Sequence, residues 1–301
     1  MKAESLVRLS RLTRPFMRYR TPVVYRLFKW ALNLLCPRGN QGTAKHLVVS
    51  FDGGLIHVDT SSSIEYHILF RGCHEPEIVN LIQRTVRAGD VCLDIGANVG
   101  AHALVMARAA GPSGRVIAVE PHPRIYERLL QNVALNRLAH CTTVRAALSD
   151  HDGDVDFFGF AEGAFERGVS SLLPDEQAKQ KMVVRAIRGA KFQKELGLSR
   201  CDFLKIDVEG AESVVLQELS DLIAESRPFI ICEYRKQHWR KFGHSLGQVL
   251  ARLKGLDYQL YYICKNITRP VIGEEIPDSC ELFCVPALRE SDRPEIAIGK
   301  P

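Results

Sequence analysis

The sequence predicts an α/β protein whose core is a mostly parallel β-sheet with helices on both faces. From residue 91 onward, short apolar runs of strand length alternate with amphipathic segments of helical period. The chain has 301 residues, 46% hydrophobic and 25% charged, which is enough for a sizeable core and excludes a disordered tail or a disulfide-stapled miniprotein. One apolar run ends in a glycine-containing turn before a helix, a common feature of the ligand-binding edge of such sheets.

The basic character of the chain is confined to its first 40 residues. They hold nine Lys and Arg against one acid, Glu4, whereas the remaining residues hold 31 Lys and Arg against 34 Asp and Glu. The body of the protein is therefore mildly acidic, and we expect no nucleic-acid partner. Nine cysteines without a CxxC pair, several of them inside apolar runs, indicate reduced thiols and a cytoplasmic location.

Residues 1–42 are predicted to form a basic amphipathic leader and a linker. Within them, 23–35 has helical period, with a narrow polar stripe that contains Arg26 and Lys29. Such a helix needs a partner, which is the rest of the chain, a second subunit in a homodimer, or a membrane surface contacted peripherally. Charges inside the apolar region disfavour a signal peptide, and no stretch is apolar enough to predict a spanning helix.

Residues 43–89 are predicted to form a small β/α lead-in to the main domain. Alternating apolar residues predict strands over 47–51, 55–58 and 64–70. Pro76 then begins an amphipathic helix over 76–86, with Gly89 just past its end.

Residues 90–288 are predicted to form the main sheet domain, and 289–301 a tail. The predicted strands are 91–95, 116–119, 142–148, 155–160, 182–187, 203–206, 229–232, 258–263 and 282–285. The predicted helices are 101–110, 124–136, 211–219 and 246–253. Alternation of this kind makes most strands parallel and brings their carboxyl ends to one edge of the sheet.

The most informative stretch runs from Val91 to Gly100. A buried strand ends in Asp94, and Gly96 and Gly100 let the chain turn tightly before a helix. Asn98 stands where a dinucleotide-binding G-x-G-x-x-G loop has its second glycine. A carboxylate at the mouth of this loop would repel a pyrophosphate and attract a cation. S-Adenosylmethionine, which carries an ammonium and a sulfonium but no phosphate, therefore fits better than NAD.

Two later strands also end in acidic residues. Glu120, which precedes Pro121, lies about 20 to 26 residues beyond the glycine loop. A carboxylate at this position can accept hydrogen bonds from both hydroxyl groups of a ribose. Asp207 and Glu209 end another strand, and Gly210 opens the helix that follows. The two carboxylates either contact the cofactor and the reacting groups or cap the helix near its positive end, and both roles can hold together.

These motifs together resemble those of the FkbM-type methyltransferases. The matching stretches are Asp94-Ile-Gly-Ala-Asn-Val-Gly100, Val119-Glu120-Pro121, Ala147-Leu-Ser-Asp150 and Lys205-Ile-Asp-Val-Glu-Gly-Ala-Glu212. A lead-in motif around Glu75, a short serine motif at 168–172 and Glu233 also resemble the family pattern. The likeness extends over residues 55–285 and departs from the family at His102, where an aromatic residue is more common.

The resemblance implies a class I methyltransferase Rossmann-like sheet, mostly parallel with an antiparallel last strand, and S-adenosylmethionine as methyl donor. It further implies O-methylation of a hydroxyl on a sugar, a glycan or a secondary metabolite. The residues expected at the donor are Asp94, Gly96, Ala97, Asn98, Gly100, Glu120, Pro121, Ala147 and Asp207.

Methyl transfer to an alcohol is helped by a base near the acceptor oxygen. Glu209 is the first candidate because it lies two residues beyond Asp207, and Glu75 is the second because the lead-in can fold over the pocket. The remaining candidates are Asp207, Glu233, His74 and His238. Asp207, Glu209 and Glu233 can converge on a divalent cation, but nothing in their spacing requires one, and no metal is predicted.

Three other functions stay open from the residues alone. They are N-methylation by the same fold, binding of the cofactor without catalysis, and NAD-dependent oxidation, which Asp94 and Asn98 disfavour. The basic pairs Arg235-Lys236 and Arg240-Lys241 either bind an anionic group of the acceptor or are solvated charges, and we favour the second interpretation. The partner is expected to be a small molecule or a glycan.

Overall fold

The computed structural model describes residues 3–18, 46–60, 62–159, 180–243, 245–264 and 267–287. The predicted leader helix over 23–35, the serine motif at 168–172 and the tail lie outside these residues. A helix that the sequence did not predict, α1 (Ala3–Arg18), occupies the start of the chain. Among the described helices, none combines the length and the apolar character needed to cross a bilayer.

The lead-in consists of a β-hairpin followed by two helices. Strands β1 (His46–Phe51) and β2 (Gly54–Asp59) pair antiparallel, as the alternating apolar residues predicted. Helices α2 (Ser63–Arg71) and α3 (Pro76–Thr85) follow, and α1 packs on α2.

Arg14 fastens α1 to the lead-in. Its Nε donates a hydrogen bond to Leu69 O at 3.2 Å, and its Nη1 donates to Ser50 Oγ at 3.0 Å. The same side chain covers Gly72, where an added Cβ would lie 3.2 Å from Arg14 Cδ. The first helix is therefore attached to the segment that leads into Glu75.

The strand predicted over 64–70 is wrong, because these residues form α2. The Ser62 side chain accepts a hydrogen bond from Glu65 N at the start of the helix, and Gly72 ends it in the left-handed conformation with φ +75°. Tyr66 and Phe70 then share one buried face, with ring centroids 4.7 Å apart. Aromatic and branched residues favour a strand locally, but the caps at both ends favour the helix.

An eight-stranded sheet forms the centre of the molecule. Its members are β3 (Val91–Ile95), β4 (Arg115–Val119), β5 (Cys141–Val144), β9 (Phe203–Ile206), β10 (Phe229–Arg235), β11 (Tyr258–Cys264), β12 (Ile267–Pro270) and β13 (Ser279–Pro286). Their order across the sheet is β12-β11-β13-β10-β9-β3-β4-β5. Strands β5, β4, β3, β9 and β10 are parallel, and β13 runs antiparallel to β10. The predicted α/β sheet, mostly parallel with an antiparallel last strand, is confirmed.

Helices cover both faces of this sheet. They are α4 (Ala101–Ala110), α5 (Pro123–Leu135), α6 (Gly189–Leu196), α7 (Glu212–Glu218), α8 (Ser220–Ser226), α9 (Lys236–Lys241) and α10 (Leu246–Gly255). Successive residues of a strand alternate between two cores, because side chains of a strand point to opposite faces. Phe203 packs in the core that α4 and α5 share with the lead-in, and Leu204 packs in the core with α7, α8 and α10.

The strand predicted over 142–148 is divided between two sheets. Its first part is β5, which pairs with β4 as far as Val144, opposite the last residue of β4, Val119. The pairing with β5 stops where β4 ends, and the chain turns away to form β6 (Ala147–Leu148) in a second, three-stranded sheet. Strands β7 (Gly153–Gly159) and β8 (Gln180–Ile187) complete that sheet in the order β6-β8-β7.

Asn132 of α5 and Asn136, the residue that follows this helix, hold the lead-in against the sheet domain. Asn132 Oδ1 accepts a hydrogen bond from His57 N at 2.8 Å, and Asn132 Nδ2 donates to Val99 O at 2.8 Å. Asn136 Oδ1 accepts from Leu55 N at 2.9 Å. Since Val99 belongs to the glycine loop after β3, the lead-in is fixed relative to that loop.

Candidate active site

Four neighbouring parallel strands end at one level of the sheet. The last residues of their parallel pairing are in register: Val119, Ile95, Ile206 and Cys232. The residues that follow directly are therefore neighbours along the carboxyl edge: Glu120, Gly96, Asp207 and Glu233. With about 4.8 Å between adjacent strands, this row extends about 14 Å from Glu120 to Glu233.

A cavity of about 220 Å³ lies over this edge. The predicted site residues that line it are Glu75, Gly96, Ala97, Asn98, Glu120, Pro121, Ala147, Asp207 and Glu209. Asp94 and Gly100 do not line it. Residues from the lead-in, the glycine loop and four strand ends thus meet around one space.

Gly96 allows the glycine loop to lie against the neighbouring strand end. Its φ is +84°, and an added Cβ would lie 1.8 Å from the carbonyl oxygen of Asp207. The amides of Gly96 and Ala97 both donate to Val119 O at 2.9 Å. Close packing of backbone on backbone therefore requires a glycine at this position.

Asn98 and Glu120 join the loop to the end of β4. Asn98 has a positive φ of +51°, which asparagine tolerates better than most residues. Its backbone N–H donates to Glu120 Oε2 at 3.0 Å, and His122 N donates to Glu120 Oε1 at 2.8 Å. Burial raises the pKa of Glu120 to about 7 despite these two amides. Each oxygen keeps a second lone pair for a hydroxyl group of a ligand.

Asp94 occupies a different place from the one expected at the mouth of the loop. Its side chain is 0% exposed, and Lys205 Nζ lies 4.0 Å from its Oδ1. In the register of β3 with β9, Asp94 is directly opposite Lys205, which explains the pairing. Burial raises the pKa of Asp94 to about 6, although Lys205 lowers it. The carboxylate lies beneath the loop, so its direct contact with the donor stays a prediction.

Lys205 is a buried cation whose role the sequence did not reveal. It lines the cavity with a side chain 3% exposed, and its Nζ donates to Asp207 Oδ2 at 3.1 Å. Burial alone would raise the pKa of Asp207, but Lys205 outweighs burial and the pKa is lowered. Asp207 is therefore ionised at neutral pH.

Three carboxylates converge at the other end of the row. Asp207, Glu209 and Glu233 each offer an oxygen within 4.8 Å of the others. Burial and the charge of Asp207 raise the pKa of Glu209 to about 8, and burial, Asp207 and Glu209 raise that of Glu233 to about 10. The site holds more carboxylates than it can ionise together at neutral pH.

Arg235 provides the charge that faces this cluster. Its Nη1 lies 3.1 Å from Glu209 Oε2, and its Nη2 lies 2.8 Å from Glu233 Oε1. The guanidinium is half-buried and lines the cavity, so the interpretation of Arg235 as a solvated charge is wrong. Lys236 does have an exposed partner, Asp278, at 2.9 Å.

Glu75 reaches the cavity between two histidines of neighbouring segments. Its Oε1 lies 3.8 Å from His74 Nε2, and its Oε2 lies 3.6 Å from His102 Nε2. Glu75 has φ +44°, in the left-handed region, and its side chain makes no capping hydrogen bond to α3. His238, another candidate base, does not line the cavity.

Glu212 shapes the turn that carries Asp207 and Glu209. It is 1% exposed, its Oε1 accepts hydrogen bonds from Val208 N at 3.1 Å and Gly210 N at 2.8 Å, and its Oε2 accepts from Trp239 Nε1 at 3.0 Å. The capping role considered for Asp207 and Glu209 is not seen, since α7 begins without a side-chain cap.

The charges around the cavity suit S-adenosylmethionine better than a phosphate ligand. Among the described lining residues, the carboxylates are Glu75, Glu120, Asp207, Glu209 and Glu233. The lysine and arginine that line the cavity, Lys205 and Arg235, are both engaged by carboxylates. An excess of acids favours a cationic ligand, and Glu120 provides acceptors for ribose hydroxyls.

The model of the methyltransferase FkbM domain matches residues 94–260. The chain belongs to this family. The match confirms the resemblance drawn from the motifs, and the family is one of S-adenosylmethionine-dependent methyltransferases. The matched range includes the glycine loop, Glu120 and the Asp207–Gly210 turn, whereas Glu75 lies outside it.

Two curated relatives and one solved structure illustrate the similarity. The hexuronic acid methyltransferase AglP of Haloferax volcanii is 27% identical over 161 residues, which are 53% of this chain and 62% of AglP. The 2-O-methyltransferase NoeI of Sinorhizobium fredii is 29% identical over 173 residues, 54% of this chain and 68% of NoeI. The structure of methyltransferase FkbM from Methylobacillus flagellatus has 17% identity and a TM-score of 0.42, over 73% of this chain and 52% of that one.

Proposed function

We propose that this FkbM-family protein transfers a methyl group from S-adenosylmethionine to a hydroxyl of a sugar, a glycan or a small metabolite. The observation that carries the proposal is the row along the sheet edge, with Glu120 at one end and the Asp207, Glu209 and Glu233 cluster at the other. One end suits a ribose, and the other offers a base of raised pKa. The names of AglP and NoeI, a hexuronic acid methyltransferase and a 2-O-methyltransferase, support a sugar hydroxyl as acceptor.

The donor half of the site is assigned to the glycine loop and its neighbours. Glu120 would accept hydrogen bonds from the ribose hydroxyls, and its orientation is fixed by the amides of Asn98 and His122. Ala97, Pro121 and Ala147 would form the walls around the nucleoside. When bound, S-adenosylmethionine supplies a methyl group on a sulfonium sulfur, whose positive charge disappears as the carbon–sulfur bond breaks.

Glu209 is assigned as the base. Its carboxylate would receive the proton of the acceptor hydroxyl while the acceptor oxygen forms its bond to the methyl carbon. A pKa near the working pH is favourable for a base, and that of Glu209 is about 8. Arg235 holds the carboxylate in place, and Lys205 keeps Asp207 ionised beside it.

Glu75 is assigned to the acceptor, where it would accept a hydrogen bond from the reacting hydroxyl or its neighbour. We propose no metal, because Arg235 and Lys205 already balance the three converging carboxylates. Chelation with EDTA should therefore leave the rate of methyl transfer unchanged. Loss of activity with EDTA and its return with Mg²⁺ would contradict this assignment.

A labelled-methyl transfer assay against glycan, lipid and metabolite fractions tests the proposal. Label in a hydroxyl-bearing product that forms alkali-stable methyl ethers is expected. Label only on amines would replace O-methylation by N-methylation, and the absence of label with all fractions would support a binding module.

Calorimetric titration tests the cofactor separately. S-Adenosylhomocysteine is expected to bind the wild type, to bind Glu120→Gln at least tenfold more weakly and to bind Asp94→Ala more weakly as well. NADH is expected not to bind, since no free cation faces the loop among the described lining residues. Tight NADH binding would contradict the donor assignment.

A further inference from the structure

The cavity contains an imidazole that the proposed function does not use. His102 is the second residue of α4, lines the cavity and is 5% exposed. Its Nε2 is buried and has no hydrogen-bond partner within the described part of the chain. A buried polar atom without a partner destabilises the fold, so a histidine here needs an explanation other than packing.

Glu75 is the group that His102 faces. Glu75 Oε2 lies 3.6 Å from His102 Nε2, and the ring of His74 stands beyond, 5.5 Å from that of His102 and tilted by 35°. Glu75 also has a strained backbone with φ +44°, which turns its side chain away from the amides of α3. Strain of this kind is common at functional sites, where the surrounding structure maintains it.

The protonation of His102 follows from its surroundings. Burial, Lys205 and His74 lower the pKa of His102 well below its usual value, so the ring is neutral at pH 7. The one proton of a neutral imidazole can reside on either ring nitrogen, and on Nε2 it faces the Glu75 carboxylate. A separation of 3.6 Å is longer than a hydrogen bond, but catalytic hydrogen bonds are often long without substrate and shorten when it binds.

We propose that His102 is a positioning residue for Glu75. Its Nε2–H holds the Glu75 carboxylate in the orientation in which that carboxylate accepts a hydrogen bond from the acceptor hydroxyl. The inference rests on the proposed function, which it deepens by adding a residue on the acceptor side. An aromatic residue, more common at this position in the family, would fill the space without providing the donor.

Four variants test the pair by kinetics. His102→Phe should lower kcat by about 10- to 100-fold while KM for S-adenosylmethionine stays within about twofold, since misplacement by about 1 Å has effects of this size. His102→Gln, which retains an N–H donor, should recover most of the loss. Glu75→Gln should lower kcat, and adding His102→Phe to it should cause no further loss.

A histidine that contacts the other end of α4 from outside the helix gives the matched control. His140 Nε2 is 2.8 Å from Ala107 O, and His140→Phe should leave kcat unchanged. Wild-type kcat in His102→Phe would overturn the proposal. A kcat of the double variant that is reduced by the product of the two single effects would overturn it as well. Two groups that act through one contact lose that contact once, whichever of them is replaced.

A measurement that does not depend on turnover separates this inference from the proposed function. In ¹⁵N spectra of labelled imidazoles, Glu75→Gln should change the His102 Nε2 resonance and leave that of His140 in place. An unchanged His102 resonance would overturn the pairing. If the protein methylates no hydroxyl in any of the glycan, lipid and metabolite fractions, the proposed function fails. The spectra still decide whether His102 holds Glu75.

Discussion

The Gly96 backbone lies against the Asp207 carbonyl, in a space that no side chain can share. Gly96→Ala would bring Cβ within 1.8 Å of that oxygen and would hold an alanine at φ +84°. The loop must then separate from the end of β9, so we expect S-adenosylhomocysteine binding to fall by at least 100-fold. Calorimetric titration measures the effect.

Gly197 provides the matched control for this prediction. Its φ of +58° carries the same left-handed penalty, but nothing lies within 4 Å of an added Cβ. Gly197→Ala should therefore cost about 1 kcal/mol of stability and leave the affinity unchanged. Equal affinities for the two variants would show that the loop tolerates displacement from Asp207.

The raised pKa of Glu209 gives a second prediction, about pH dependence. A base acts in its ionised form, so kcat should increase with pH through about 8, the pKa that burial and Asp207 give to Glu209. Glu209→Gln should lower kcat by about 100-fold and abolish this increase, with the affinity for S-adenosylhomocysteine within about twofold. Initial rates from pH 6 to pH 9.5 measure both effects.

Glu195 serves as the control carboxylate. It pairs with Arg185 at 2.7 Å on the surface, outside the cavity, and Glu195→Gln should retain the wild-type pH profile. If Glu209→Gln also retained the wild-type pH profile of kcat, the base would be another residue, and Glu75 would be the next candidate.

Which acids enter the site follows from the sequence, but which cations balance them does not. The motifs located Glu120 and Asp207 because each directly follows a readable strand, and Glu209 because it lies two residues beyond Asp207. Arg235 was misread, because β10 was predicted to end at Cys232. Pairing with β13 extends β10 to Arg235, and Arg235 then lies on the same face as Glu233, two residues away. Such an extension depends on a strand about 45 residues later in the chain.

The parallel strands could be predicted, whereas two local features could not. Strands β3 and β9 have the predicted bounds, because short runs of buried apolar residues permit few alternatives. The division of β5 from β6 depends on where β4 ends, which is a tertiary property. The helix α2 did leave a signal, the Ser62-x-x-Glu65 capping pattern, which the apolar run obscured.

The turn between β9 and α7 should depend on one buried carboxylate. Glu212→Gln replaces one of the two acceptor oxygens of Glu212 by a donor, so either the amides of Val208 and Gly210 or the indole of Trp239 must lose a partner. We expect a loss of about 2 kcal/mol in the free energy of unfolding, and a lower kcat because this turn carries Asp207. Urea unfolding and initial rates measure the two effects.

Trp239→Phe removes only the indole donor and distinguishes the two contacts. In this background Glu212→Gln should cost less than in the wild type, because the amide nitrogen of Gln no longer faces a donor. Equal costs in both backgrounds would mean that the indole contact does not constrain the turn.

Buried carboxyls make the stability of the whole molecule sensitive to pH. Burial raises the pKa of Glu120 and Glu212 to about 7 and that of Asp94 to about 6, above their values in the unfolded chain. A folded-state pKa that is raised contributes stability below the unfolded pKa, and this contribution is lost as pH increases through the folded pKa. We therefore expect Tm, measured by calorimetry, to fall between pH 5 and pH 8.

Glu120→Gln should reduce this fall, since a neutral amide does not titrate. S-Adenosylhomocysteine should raise the wild-type Tm more at pH 8 than at pH 6, because its ribose hydroxyls would donate to the ionised form of Glu120. Asp207 does not oppose the trend, since its pKa is lowered and its stabilising contribution is lost only under acidic conditions. His102, whose pKa is lowered by burial, offsets part of the fall below the usual pKa of histidine, but the raised carboxyls outnumber it. A Tm that is constant or increases over this range would contradict the buried charges described above.

The contact of Arg14 with Leu69 and Gly72 connects α1 to the segment that carries Glu75 into the cavity. Glu75 lies three residues beyond Gly72, so the carboxylate that we propose to contact the acceptor belongs to a segment that α1 holds in place. If another molecule bound α1 and removed it from the lead-in, we expect Glu75 to lose its fixed position, while the glycine loop and Glu120 keep theirs. Binding at α1 would then lower kcat without changing the affinity for S-adenosylmethionine.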